Sequence, residues 1–177
     1  MKVGVLALQG AFAKHVEMIR LLEHEGIEVR KAEDLALCDG LIIPGGESTA
    51  MFYHIDFMQL SEPLKAFAQK KPIFGTCAGL ILMAREIRGQ ATKPFGFLDV
   101  EVERNAFGRQ AESFTAQLKT YKPLDEKIPL LGVFIRAPRL VALGEGVQVL
   151  AELEGEPVIV QQGRFIGAAC HPELTDS

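Results

Sequence analysis

Gly75-Thr76-Cys77-Ala78-Gly79 has the sharpest chemical content in the sequence. The apolar run Pro72-Ile73-Phe74 leads into it, and a helical pattern leaves it from Ala78 to Ile87. Cys77 then sits on a tight strand-to-helix turn, where flanking glycines let the backbone bend and neighbours pack close. This is the cysteine form of a nucleophile elbow. The helix N-terminus behind the sulfur favours an anion and offers backbone N–H groups to an oxyanion. Taken alone, the pentapeptide reads equally well as a small buried cysteine ahead of a helix.

His171-Pro172-Glu173 follows the apolar strand pattern Phe165-Ile166-Gly167-Ala168-Ala169. Pro172 excludes an ordinary helix interior. In an extended segment, residues two apart point the same way, so His171 and Glu173 are expected on one side. A carboxylate that fixes an imidazole facing a thiol is the nucleophile–base–orienter arrangement of a triad. By itself His-Pro-Glu is more often a turn at a strand end; beside a cysteine elbow it points to catalysis. Pro44-Gly45-Gly46-Glu47-Ser48 is the third such segment. Its glycine N–H groups can approach a ligand oxygen closely, and Ser48 suits a helix N-cap.

The elements that must position these segments follow from patterning. Val3–Leu8 is a near-continuous apolar run, as in a strand buried on both faces of a parallel sheet. Phe12–Leu22 has helical spacing, Glu28–Arg30 and Leu41–Ile43 read as strands, and helices start at Ser48 and Ser61. Strand and helix alternate through this half, which predicts a parallel sheet with helices on both faces. Ligands bind such a sheet at the carboxyl ends of its strands, where all three segments fall. The second half changes character: Leu98–Glu103 alternates, and short strands follow near 113–119, 130–135, 147–153, 157–161 and 165–169. With 177 residues, no linker and no internal repeat, residues 1–177 are expected to form a single domain.

Composition narrows the class. Hydrophobic residues make up 48% and charged residues 24%, an ordinary globular balance. A pI near 5.6 with few aromatics argues against a nucleic-acid partner. No apolar run is long enough to span a membrane, and Met1–Leu6 reads as a strand rather than a secretory leader, so the cytoplasm is the expected compartment. Cys38, Cys77 and Cys170 are odd in number and form no C-x-x-C pair, against a disulfide framework or a metal site. His15, His24 and His54 read as exposed helical groups without chemistry, and Cys38 as structural.

In this order the motifs resemble the triad (class I) glutamine amidotransferases, and within them the glutaminase subunits of pyridoxal 5′-phosphate synthases. The resemblance covers nearly the whole chain. It rests on Leu6–Ala11, Pro44–Thr49, the Cys77 elbow, Val102–Gln110, Val133–Pro138 and His171–Thr175. It implies a flavodoxin-like α/β three-layer sandwich: a mostly parallel central sheet with helices on both faces, plus short antiparallel strands in the second half.

The resemblance also implies roles. Cys77 would attack the side-chain amide of L-glutamine, His171 would move the protons, and Glu173 would orient His171. Gly46, Glu47, Ser48, Arg104, Ile135 and Arg136 would hold glutamine. Arg104 suits a carboxylate through its planar fork, although an ion pair with a nearby Glu is the plainer reading; Arg136 and Arg109 share that ambiguity. Gly45, Gly46, Ala78, Gln9 and Gly10 would surround the oxyanion, with the Gln9-Gly10 segment adjusting when a partner docks. No cofactor is implied. The ammonia would pass to a (β/α)8-barrel synthase subunit in a multi-subunit complex, joining a pentose phosphate and a triose phosphate.

Two departures stand out. Cys170 takes a place where relatives often carry an aromatic; it is expected to face away from His171 as a packing variant, open to oxidation with Cys77 if the two approach. The sequence ends at Ser177, where relatives usually continue into a terminal helix. The other readings of these motifs are another elbow-cysteine hydrolase or deglycase-like protein, which lacks the His-Pro-Glu tail, and a non-catalytic regulatory domain of the same fold.

Overall fold

The computed structural model describes residues 1–106, 113–125 and 127–175; Arg109 and the end of the Val102–Gln110 motif lie outside them. Strands β1 (Lys2–Leu6), β2 (Glu25–Val29), β3 (Gly40–Ile43) and β4 (Ile73–Thr76) alternate with helices α1 (Phe12–Leu21), α2 (Ala32–Ala36), α3 (Ser48–Phe57) and α4 (Ser61–Ala68). After α5 (Ala78–Met83) come β5 (Glu86–Ile87), β6 (Val100–Glu103), β7 (Phe114–Thr120), β8 (Leu130–Phe134), β9 (Arg139–Leu143), β10 (Gln148–Leu153), β11 (Glu156–Gln162) and β12 (Phe165–Ala168). A 3-10 turn, Pro172–Leu174, follows.

The main sheet has the order β2-β1-β3-β4-β12-β11-β10-β7-β8, and β5-β6-β9 form a smaller one. The strands from β2 to β12 are parallel; those from β12 to β8 are antiparallel. The parallel half has the 2-1-3-4-5 order of doubly wound folds, with β12 as its fifth strand.

Alternation along β1 explains the layers. Val3 and Val5 pack with Val16, Ile19 and Ile42 under α1. Leu6 joins the other face, with Leu41, Ile43, Met51 and the α5 side chains. Helices therefore cover both faces, as the strand–helix alternation predicts. The larger cluster continues under the antiparallel strands through Phe134, Leu150 and Val158. The burial of β6 alternates as its sequence does.

Several expected elements differ. The helix after Cys77 ends at Met83 instead of Ile87, because Arg85 N and Arg88 N donate to Val100 O and Val102 O and draw the chain into the small sheet. Strand β2 begins at Glu25, paired with Lys2 of β1. Helix α2 and strand β9 have no counterpart in the sequence reading. Glu47, rather than Ser48, caps α3: its carboxylate accepts from Thr49 N at 3.0 Å and Ala50 N at 2.7 Å. A two-oxygen side chain satisfies two orphan N–H groups, and Ser48 becomes the buried first helical residue.

Candidate active site

Register decides what meets at the sheet edge. Ile43 of β3 pairs with Gly75 of β4, and Thr76 pairs with Ala168 of β12. The segments after β3, β4 and β12 therefore leave the same edge side by side. Gly45–Ser48, Cys77 and His171 are brought together from positions up to 126 apart in the chain.

Cys77 has φ 49° and ψ −103°. A non-glycine residue in this region is strained, and such strain concentrates at functional sites. The fold holds it there. Cys77 N donates to Ala168 O at 2.8 Å, and Ile81 N donates to Cys77 O at 3.2 Å. The flanking glycines are required by contact: a Cβ on Gly79 would lie 2.0 Å from Ile43 O, and one on Gly75 would lie 2.7 Å from the Gly79 backbone.

His171 N donates to Val133 O of β8 at 2.8 Å, which anchors the end of β12's run. His171 Nδ1 lies 2.7 Å from Glu173 Oε1, and the two side chains are 8% and 1% exposed. The pairing occurs as expected, but not through an extended segment. Pro172 starts a 3-10 turn, which its fixed φ favours, and the turn carries Glu173 back under the imidazole. A Cβ on Gly45 would lie 2.2 Å from His171 Cε1, so Gly45 forms the wall against the ring.

A cavity of about 370 Å³ opens over these groups. That is a fit for a small molecule. Cys77, His171, Gly45, Gly46, Glu47, Ser48, Arg104, Ile135 and Arg136 all line it. Ala11, Ile81, Asn105 and Leu174 complete the lining; sequence reasoning assigned them no role. Gln9, Gly10, Ala78 and Glu173 are not among the lining residues. Gln9 Nε2 donates to Glu47 O at 3.0 Å, and Glu47 N donates to Gln9 Oε1 at 3.4 Å, so the Gln9 side chain braces the Gly46-Glu47 backbone. The Cys77 thiol contacts Ile135 O at 3.9 Å.

Arg104 makes the ion pair its plainer reading anticipates. Its Nη2 lies 3.1 Å from Glu47 Oε1, while Nη1 donates to Thr49 Oγ1 at 3.2 Å and Gln90 Oε1 at 3.4 Å. Glu47 is thereby both helix cap and anchor for Arg104. Burial opposes its charge, but the Thr49 and Ala50 N–H groups and Arg104 prevail and hold its carboxyl below the usual range.

Electrostatics at the centre favour an ion pair. Burial works against a charged His171, but Cys77 and Glu173 outweigh it and push the imidazole up to about 10. Burial likewise opposes the Glu173 carboxylate, yet interactions with His15 and His171 hold it down at about 2. Cys170 is fully buried, and desolvation pushes its thiol up to about 12. It packs under β8, where a Cβ on Gly132 would lie 3.2 Å from its sulfur, as a packing residue should.

His15 is the main correction. It is 4% exposed, its Nε2 lies 3.2 Å from Thr76 Oγ1, and the same atom lies 3.5 Å from Glu173 Oε1. It shares the buried face of α1 with Val16 and Ile19, a placement its i−4 spacing from Ile19 could have signalled. His24 is exposed but lies in the turn after α1, and His54 is half-buried near the end of α3. Among the described residues, no three His, Cys, Asp or Glu side chains gather as a metal site, and no helix is long and apolar enough to cross a membrane.

The chain is similar along its length to known proteins. It is 52% identical over 177 residues to the pyridoxal 5′-phosphate synthase subunit PdxT of Geobacillus sp. (strain WCH70), covering 99% of this chain and 91% of that protein. It is 52% identical to the subunit of the same name from Shouchella clausii (strain KSM-K16), covering 99% and 89%. A crystal structure described as a glutamine amidotransferase superposes with a TM-score of 0.92 at 45% identity, covering 99% of this chain and 92% of the other. A family model matches residues 5–177, and the chain belongs to the SNO glutamine amidotransferase family.

Proposed function

We propose that residues 1–177 form one glutaminase domain, the glutaminase subunit of a pyridoxal 5′-phosphate synthase. Its reaction is hydrolysis of L-glutamine to L-glutamate and ammonia. The convergence of Cys77 and His171 in one cavity, with Glu173 2.7 Å behind the imidazole, carries this reading. The names of the relatives support the assignment to vitamin B6 biosynthesis.

His171 takes the Cys77 proton, and the sulfur attacks the side-chain amide carbon of glutamine. The carbonyl oxygen gains the charge, met by backbone N–H groups of Ala78 and the Gly45-Gly46 segment, braced by Gln9-Gly10. The C–N bond breaks as the His171 imidazolium protonates the departing nitrogen, which leaves as ammonia. The glutamyl thioester remains. Water, deprotonated by His171, attacks it; the C–S bond breaks, and glutamate and the Cys77 thiol are released. The raised imidazole pKa suits the acid step, because the His171 imidazolium must keep its proton until the amide nitrogen departs. Gly46, Glu47, Ser48, Arg104, Ile135 and Arg136 orient glutamine.

The chain needs no cofactor for this chemistry in our reading. Its partner is a synthase subunit, read as a (β/α)8 barrel, that consumes the ammonia with two sugar phosphates, and the complex works in the cytoplasm. The test is co-purification with a candidate synthase and then glutamine-dependent formation of pyridoxal 5′-phosphate. Synthesis from ammonium salts but not from glutamine would overturn the assignment.

A further inference from the structure

The scheme above leaves His15 unused, although it is buried against both of the segments that build the site. Helix α1 packs on the 3-10 turn that carries Glu173. His15 Nε2 lies 3.2 Å from Thr76 Oγ1, in the residue before Cys77, and 3.5 Å from Glu173 Oε1. A buried polar group is costly unless it is partnered, and among the described residues Nε2 finds these two polar partners.

Glu173 is held unevenly. Its Oε1 faces both imidazoles, while Oε2 is buried and accepts no hydrogen bond among the described residues. A carboxylate bound only by His171 could turn about its terminal torsion, which is broad for Glu. A second donor to the same oxygen, from a different element, fixes it. With its proton on Nε2, His15 points that N–H between Thr76 Oγ1 and Glu173 Oε1, both of which accept.

We infer that His15 is a positioning residue: it pins the Glu173 carboxylate in the orientation that holds His171, and through Thr76 it ties that carboxylate to the Cys77 elbow. The inference rests on the proposed reaction of Cys77, His171 and Glu173. The titratable groups facing Glu173 are His15 from α1, His171 from its own segment and the Cys170 thiol, with Cys77 facing His171. Losing the His15 donor leaves the others in place but frees the carboxylate.

The experiment measures glutamate release by the complex with its synthase, across pH, for His15→Leu, His15→Gln and His15→Asn. The Gln amide nitrogen reaches the place of Nε2; the Asn amide is too short. His15→Leu should lower kcat by about 10-fold, the worth of one hydrogen bond to a charged group, with KM for glutamine unchanged. The alkaline limb of its pH profile should move to lower pH, because His171 loses part of its carboxylate partner. His15→Gln should recover most of both effects, and His15→Asn should not. Wild-type kcat and pH profile in His15→Leu, or equal losses in Gln and Asn, would overturn the inference. If circular dichroism shows that His15→Leu does not fold, the Gln–Asn comparison decides. A failure of the underlying reaction is separate: it appears as wild-type protein and Cys77→Ala releasing glutamate equally.

Discussion

Glu173→Gln removes a charge and almost no volume from beneath the imidazole. In the native chain His171 Nδ1 and Glu173 Oε1 are 2.7 Å apart and shielded from water. A hydrogen bond to a charged group contributes about 1.5–3 kcal/mol, and this one strengthens as His171 becomes an imidazolium. Its loss should therefore lower kcat on the order of 10- to 150-fold. KM should change little, because Glu173 stands behind the cavity lining. The pH profile gives a second readout. Glu173 helps to push His171 up to about 10, and a raised imidazole keeps its proton until pH rises through that value. Without the carboxylate the alkaline limb should move to lower pH. The assay is the initial rate of glutamate release by the complex, from mildly acidic to strongly alkaline pH. An unchanged kcat with an unmoved alkaline limb would refute the role given to Glu173.

Three further outcomes are expected. Arg104→Lys keeps the charge but loses the fork that spans Glu47 and Thr49, so KM for glutamine should rise about 10-fold with kcat little changed; steady-state kinetics check it. Gly45→Ala drives a Cβ to within 2.2 Å of His171 Cε1, so glutaminase activity should collapse while thermal unfolding shows a folded chain. Acid stability follows from Glu173, whose carboxyl is lowered from 4.5 to about 2. A depressed carboxyl contributes stability above its unfolded value, here about 3 kcal/mol, which is lost as pH falls from that value through about 2. The stability gap between native protein and Glu173→Gln should accordingly shrink over that range in denaturant titrations.

Much of this site is legible in the sequence because its parts are local. The Cys77 elbow is a strand, a turn and a helix in consecutive residues, and its glycines are fixed by backbone contacts within that unit and with β3. The alternation of the first half reveals a sheet whose carboxyl ends gather the three motifs. Contacts between distant segments are harder to read. The spacing of His15 from Ile19 signals a buried helix face, but nothing near it announces that α1 will lie against the last turn of the described chain. The Glu47–Arg104 pair joins positions 57 apart, and only the fold makes Glu47 both a cap and an anchor. The His171–Glu173 pairing follows from their types, but its route through a 3-10 turn depends on Pro172 and on the packing beneath it. Helix α5 stops early because the small sheet competes for its carboxyl end, a tertiary effect that helical periodicity does not contain.

The most direct test of the account is the site at which a glutamine-analogue chloromethyl ketone alkylates the protein in its synthase complex, located by peptide mass spectrometry. Cys38 and Cys170 are fully buried, and burial pushes both thiols up, against the thiolate that alkylation needs. The account predicts one adduct, on Cys77, formed more slowly when glutamine is present and absent in Cys77→Ala. An adduct on Cys38 or Cys170 in place of Cys77, or a glutaminase that turns over without any reactive Cys77, would contradict it.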